Sequence, residues 1–446
     1  MKKVLFFLLI ACSVCRLEAQ LLKKIIDKTK QKTEDKVSEK ISEKASNAAT
    51  KPIDSLGKTN KNTNNNTGES NNQHQGKNPE NSKGAAPNES VDKPGTGSLV
   101  AYSKFDFIPG DKILVSEDFS QDAIGDYPAR WNTNSSGETV TVDGQTGHWL
   151  MIRKRGRFIP EYINNLPDNF TFQFDLLCNE KFNFYSDRLQ LYFLTGKNGK
   201  EALENSFIPM DKRSGIKLGI HPANAGSTGG MAAIQSFAEG DVVINNEVNT
   251  TQFNSNNGKT KVKVSVWRQK QRVRVYLNEE KVFDLPRAFA ADKTYSTMLF
   301  ELWGDMNNDA DRYLINNIKL AVGAPDTRNK LITEGKFVTR GILFDVNSDK
   351  IKPESYGVLK DISNVLNENP GVKVLIVGHT DADGNDADNL ALSKRRAESV
   401  KSFLVSEFKI EASRIQTDGK GESQPVDKND TPEGKANNRR VEFIKQ

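Results

Sequence analysis

VLIVGHTDADGNDADNLALSKRRAESV, residues 374–400, reads as a buried strand, a polar turn and a long helix. Val374-Leu375-Ile376-Val377 is a short apolar run, and the acid Asp381 follows at its C-terminal tip. The helix is expected to begin near Asp388, which puts Asn389 in its first turn. Arg396 comes two turns further along the same face. Asp381 can accept from an ammonium, Arg396 can fork onto a carboxylate, and Asn389 can orient either group. Such a trio suits a ligand carrying both charges on one carbon, as an amino-acid head group does. The competing reading is an internal salt bridge between Asp381 and Arg396 that closes strand onto helix.

Around this stretch the chain alternates strands with amphipathic helices. Gly335 to Phe344 reads as a strand, and Lys352-Pro353-Glu354-Ser355 opens a helix with Pro in its first turn. Tyr356, Leu359, Ile362, Val365 and Leu366 fall at helical spacing before Asn369-Pro370-Gly371 stops the helix. The helix carrying Arg396 should run to about Phe408, with further strands near Ile415 and over Val441–Ile444. The pattern predicts a compact α/β sandwich with helices on one face over residues 330–446.

ILFDVNSDKIKPES (342–355), IVGHTDADG (376–384), NLALSKRRAESVKSFL (389–404) and KGESQPVDKNDTPEGKANNRRVEF (420–443) resemble, in order, four blocks of the OmpA-like C-terminal domain. That family also includes Pal and the wall-binding part of MotB. The resemblance implies a module that binds peptidoglycan non-covalently through the diaminopimelate of its peptide stem. It implies that Asp381 takes the ammonium, Arg396 the α-carboxylate, and that Asn389 positions the side chain. Thr380 and the loop at Asp345 would line the pocket through backbone and hydroxyl groups. Arg439 and Arg440 lie in a block used near the pocket, and the sequence does not say which points inward. Asp383, Asp386 and Asp388 make the loop after Asp381 unusually acidic, which would strengthen attraction for an ammonium or hold a cation instead.

Residues 99–325 read differently. Phe170, Phe172, Phe174 and Leu176 alternate with polar neighbours, as do Val262, Val264 and Val266, then Val273, Val275 and Leu277. Short strands and turn clusters without a long helical period predict an all-β antiparallel sandwich of two sheets. SEDFSQDAIGDYPARW (116–131), VKVSVWRQKQRVRVYLNEEKVFDL (262–285) and YLINNIKLAVG (313–323) resemble features of concanavalin-A-like jelly rolls. Asp305, Asn307, Asp309 and Asp311 alternate as calcium-loop oxygens do. Ala310 and Asn316 break the EF-hand pattern, so a solvated loop is expected and no metal is assigned. The tryptophans, Trp131, Trp149, Trp267 and Trp303, are expected in the core rather than stacked on sugars. Cys178, beside Leu176 and Leu177, reads as a small buried residue.

The amino terminus carries processing signals. Met1-Lys2-Lys3 and the apolar run Val4 to Ala11 predict a secretory signal over residues 1–19, with cleavage after Ala19. Leu9-Ile10-Ala11-Cys12 resembles a lipobox, and lipidation at Cys12 is the alternative. Residues 20–50 predict a charged amphipathic helix with a thin apolar stripe. Residues 51–98, rich in Asn, Gly, Ser, Lys and Pro, predict a disordered linker whose ends would lie on the order of 40 Å apart.

The formal charge of +5, from 63 basic and 58 acidic residues, makes no case for nucleic acid. Neither a zinc spacing, a nucleophile elbow, a P-loop nor a dinucleotide fingerprint occurs, and no cofactor is expected. The expected function is therefore that of a non-catalytic, exported protein of the periplasm or outer membrane of a Gram-negative bacterium. It would link that membrane, peripherally or by a lipid anchor, or the sandwich as an adhesive module for a glycan or protein, to peptidoglycan. The competing expectation is a wall-anchored polysaccharide hydrolase, which needs paired carboxylates in a sandwich cleft.

Overall fold

The computed structural model describes residues 105–196, 202–203, 213–223, 229–304, 306–323 and 326–446. The signal or lipid attachment over residues 1–19, the helix 20–50, the linker 51–98 and Asp305 lie outside the described residues. The described residues belong to one compact unit.

The strands follow in chain order as β1 (Lys112–Glu117), β2 (Trp131–Thr133), β3 (Gly137–Val140), β4 (Trp149–Ile152), β5 (Gly156–Pro160), β6 (Asn169–Cys178) and β7 (Leu189–Thr195). Next come β8 (Gly215–His221), β9 (Gly230–Ala238), β10 (Asp241–Thr250), β11 (Lys261–Gln269), β12 (Arg272–Leu277) and β13 (Glu280–Leu285). Last are β14 (Tyr295–Leu302), β15 (Tyr313–Val322), β16 (Lys336–Thr339), β17 (Val374–Gly378), β18 (Ile415–Gly419) and β19 (Val441–Lys445). The helices are α1 (Tyr356–Glu368), α2 (Asp386–Phe408) and α3 (Pro432–Asn438).

Strands β1 to β15 make the expected two-sheet antiparallel sandwich. One sheet runs β13-β12-β11-β6-β15-β4-β3, with β1 also on β15; the other runs β10-β9-β8-β7-β14-β5-β2. The alternation read from the sequence is what faces the two sheets together. Phe172 and Phe174 of β6 meet Phe193 of β7 and Phe300 of β14, with ring centroids 5.9 and 5.1 Å apart for the closest pairs. Cys178 is buried there with no disulfide partner among the described residues. Trp131, Trp149 and Trp267 are buried, whereas Trp303 is partly exposed beneath the Arg155 guanidinium.

Trp303 thus departs from the core placement expected of all four tryptophans, and a second expectation also needs correction. Asp311 is not in a solvated loop but fully buried, because its carboxylate accepts from Asn179 Nδ2, the Asn183 backbone and Ser186 Oγ and so ties the 179–186 turn to β15. Asn307, Asn308 and Asp309 are exposed as expected.

The last four strands form a separate sheet, β16-β19-β17-β18, mixed because β17 and β18 run parallel. Helices α1 and α2 cover one face, where Leu359, Ile362, Leu366, Val400 and Leu404 pack on Val374, Ile376 and Phe443. This is the arrangement of strands and helices expected for the C-terminal part. The described β16 stops at Thr339, short of the expected Phe344, which instead makes an isolated bridge to Ile351.

The sandwich and this layer are joined by more than a chain crossing. Asn437 of α3 inserts its amide against the edge of β1, accepting from Ile113 N at 3.1 Å and donating to Ile113 O at 3.0 Å. Phe105 and Phe107 pack on Trp267 and Tyr276, on the outer face of the larger sheet. The contact of α3 with β1 extends to β15, where Ala436 packs with Ile113 and Ala321.

Candidate ligand-binding site

The site is built where α2 is pressed against the ends of β17 and β18. A Cβ on Gly378 would lie 2.3 Å from Ser393 O, and one on Gly419 would lie 2.3 Å from Lys394 N. Only glycine permits that approach. It brings the turn after β17, with Thr380 and Asp381, beside the helical face that carries Asn389 and Arg396. Helix α2 begins at Asp386, two residues before the expected start, because Asn385 caps it by accepting from Asp388 N at 2.9 Å. Asp386 and Asp388 then sit in the first turn, where they complement the helix dipole.

Asn389 is buried and spends its amide on the turn. Its Nδ2 approaches Asp381 O at 3.3 Å and Asp383 O at 3.1 Å, and it donates to Glu422 Oε2 at 2.6 Å. The side chain thus fixes the loop that presents Asp381, and Glu422 anchors it from the segment after β18. Asp381 is only 7% exposed. One of its oxygens pairs with Arg439 rather than Arg396, and the other faces Asp383 N at 3.4 Å. The internal salt bridge from Asp381 to Arg396 is not formed.

Arg396 is held by its stem instead. Nε donates to Ser348 O at 2.9 Å, and the guanidinium lies 4.9 Å from the centroid of the Phe344 ring. Its two terminal nitrogens have no protein partner among the described residues. Burial lowers the pKa of Arg396 and neighbouring Arg439 adds to the fall, while Asp381 pulls the other way. A half-buried fork without an acceptor is a place where a carboxylate gains two charge-assisted hydrogen bonds.

The other expected site residues divide. Thr380 is buried with its hydroxyl unpartnered, and its backbone N–H donates to Gly421 O at 3.0 Å. The carboxylate of Asp345 is turned away to Lys350 and Lys352, each 3.9 Å distant. Its loop reaches the site through Ser348 O and the Phe344 ring. Of the two adjacent arginines, Arg439 points to Asp381. Arg440 is buried and pairs with Glu442 at 2.8 Å. The acidic loop is partly neutralised within the protein, since Asp383 pairs with Lys435 at 2.7 Å and Asp388 accepts from Asn385 at 2.6 Å. Among the described residues no cluster of His, Cys, Asp or Glu is placed to hold a metal ion.

The stretch that carries these residues is similar to known proteins. Residues 343–439 match the model of the OmpA family. That stretch is an OmpA-family domain. Over 101 residues the chain is 43% identical to outer membrane porin F of Pseudomonas aeruginosa, covering 23% of this chain and 29% of the porin. Over 153 residues it is 32% identical to the peptidoglycan-binding protein ArfA of Mycobacterium bovis, covering 32% of this chain and 44% of that protein. A crystal structure of the peptidoglycan-associated lipoprotein from Burkholderia pseudomallei aligns at 26% identity and a TM-score of 0.24, covering 27% of this chain and 98% of that one. The chain spans less than two thirds of the length of either curated relative.

Outside the OmpA-family domain, the buried carboxylates of the sandwich have partners within the protein. Glu301 pairs with Arg157 at 2.8 Å and Asp175 with Lys263 at 2.6 Å. No helix among the described residues is long and apolar enough to cross a membrane.

Proposed function

We propose that residues 330–446 bind peptidoglycan non-covalently and hold this protein to the wall of a Gram-negative cell envelope. In this reading Asp381 takes the ammonium of a diaminopimelate residue and Arg396 forks onto its α-carboxylate. Asn389 holds the turn, while Thr380 and the Asp345 loop shape the wall of the pocket. The observation that carries the reading is the Arg396 guanidinium, partly desolvated and braced through Nε, with both terminal donors free. The pairing of Asp381 with Arg439 fits the same role, because an ammonium can replace or share the arginine as counter-charge. Relatives named for the outer membrane and for peptidoglycan binding support the compartment and the polymer. The role is binding without cleavage. The jelly-roll-like sandwich of residues 99–325 would be the second module, joined through the 51–98 tether to the membrane side, by a lipid at Cys12 or peripherally after cleavage at Ala19.

Sedimentation with purified diaminopimelate-type peptidoglycan tests this. Arg396→Ala is expected to weaken retention by about 2 kcal/mol, roughly thirtyfold, at the low end for a buried pair because the guanidinium is only half-buried. Asp381→Ala should lose a similar amount. Retention unchanged in both variants, with circular dichroism matching the parent, would refute the assignment.

A further inference from the structure

The outer face of the larger sheet and the OmpA-family domain enclose a cavity of about 290 Å³. It opens onto Gly378, His379, Arg396 and Arg439 from one side and onto Asn317 and Lys319 of the sandwich from the other. Seven basic residues line it against two acidic ones. Most of these cations are already satisfied. Arg439 pairs with Asp381, Arg440 with Glu442, and Lys263 with Asp175. Arg340 donates to the carbonyls of Asn437 and Asp111, and Lys352 lies 3.9 Å from Asp345. Two are not: the Arg396 fork and the Lys319 ammonium.

Lys319 is on β15, with Ile318 and Leu320 on either side of it buried in the sandwich core, so its own side chain leaves by the outer face. It has no hydrogen bond and no ion pair among the described residues. The acid that neighbours it, Asp175, is engaged by Lys263, by Lys261 at 3.8 Å and by Asn317 Nδ2 at 2.8 Å. Lys319 is left partly desolvated beside Lys263, Arg439 and Lys352. Burial first, then Lys263 and Arg439, push its pKa down to about 8. A charge kept in such a place without a counter-ion is a cost that an anion would remove.

We infer that the ligand site is composite: Arg396 of the OmpA-family domain and Lys319 of the sandwich together receive the carboxylate end of the bound ligand. The inference rests on the peptide-stem reading above and adds that the sandwich takes part in binding. It gives the sandwich's outer face a role distinct from the adhesive one expected of that module.

The test compares Lys319→Met with Arg396→Ala in the full chain, using purified diaminopimelate-type peptidoglycan at pH 6.5, 7.5 and 9. Methionine keeps the length and apolar stem of lysine and removes the charge, so the fold should be retained or slightly stabilised. The expected result for Lys319→Met is about a tenfold loss of affinity at pH 6.5. The parent should weaken between pH 7.5 and 9 as Lys319 deprotonates, and the variant should show a flatter profile. Loss of binding in Arg396→Ala with an unchanged affinity and pH profile in Lys319→Met would overturn the composite site and leave the peptidoglycan reading standing. Full binding by both variants would overturn both.

Discussion

Replacing Asn437 by alanine tests whether the sandwich and the OmpA-family domain are one cooperative body. The Asn437 amide acts as a strand substitute. It gives Ile113 N–H an acceptor at 3.1 Å and Ile113 C=O a donor at 3.0 Å, and it donates at 2.9 Å to Asp427. Asn437 is buried, and so is Ile113. Each lost hydrogen bond costs about 1 kcal/mol net, and a buried backbone N–H left without a partner adds about 1–3 kcal/mol. Loss of the two bonds to Ile113 should therefore destabilise the junction by roughly 3–5 kcal/mol, all of it borne where α3 meets β1. Calorimetry of the parent should show one transition for the two parts, and Asn437→Ala should split it or broaden it asymmetrically. Asn437→Asp keeps the acceptor for Ile113 N–H, removes the donor and places a second carboxylate against Asp427, so it should be no better than alanine above pH 5. An Asn437→Ala protein that melts as a single transition within 1 °C of the parent would refute the coupling.

Two further perturbations follow from packing and charge. Gly378→Ala should destabilise the OmpA-family domain by about 1–3 kcal/mol and reduce peptidoglycan retention, because a Cβ there would meet Ser393 O at 2.3 Å and push α2, with Arg396, off the strand end; an unshifted melting temperature would contradict this. Glu442 is buried among Lys336, Arg440 and His379. Burial alone would raise its pKa, but these partners outweigh it and hold the carboxyl well below the ordinary 4.5. A depressed carboxyl contributes stability that is complete above the unfolded value and disappears as pH falls through the folded one. Urea midpoints should accordingly fall below pH 4.5 in the parent and fall less steeply in Glu442→Gln; parallel profiles would count against the network.

Much of the site was legible because its geometry is local. The apolar run of β17, a turn acid and an Asn and Arg two helical turns apart place Asp381, Asn389 and Arg396 by periodicity alone. Helix α3 was missed although its signals are local too: Thr431 caps by accepting from Gly434 N at 3.0 Å, and Pro432 occupies the first turn. Those signals sit in a polar stretch without an apolar stripe, and a seven-residue helix offers little period to detect. The choice between Arg439 and Arg440 was also recoverable. Arg440 lies two residues before Glu442, so strand parity puts them on one face and leaves Arg439 for the turn acid. The partners of Asp345 and the Glu422 anchor depend on chain segments far apart in sequence, and no pattern within either segment specifies them.

Lys319 shows how a feature readable in the sequence acquires meaning only in three dimensions. Along β15 the positions in the core between the sheets are Tyr313 and Ile315, then Ile318 and Leu320, so the alternation changes phase between Ile315 and Ile318. A phase change within one strand means a bulge, and the pairing of β15 with β6 does shift register between Asn316 and Lys319, with Asn317 at a φ of 51°. If the same sequence paired as a regular strand with no bulge, Lys319 would point into the core of the sandwich. With it, the ammonium emerges on the outer face, at the cavity that Arg396 also lines. An outer-face lysine on an uncovered sheet would be an ordinary solvated charge. Set on the wall of the shared cavity, with its neighbouring acid Asp175 taken up by Lys263 and Asn317, it becomes the sandwich's contribution to an anion site.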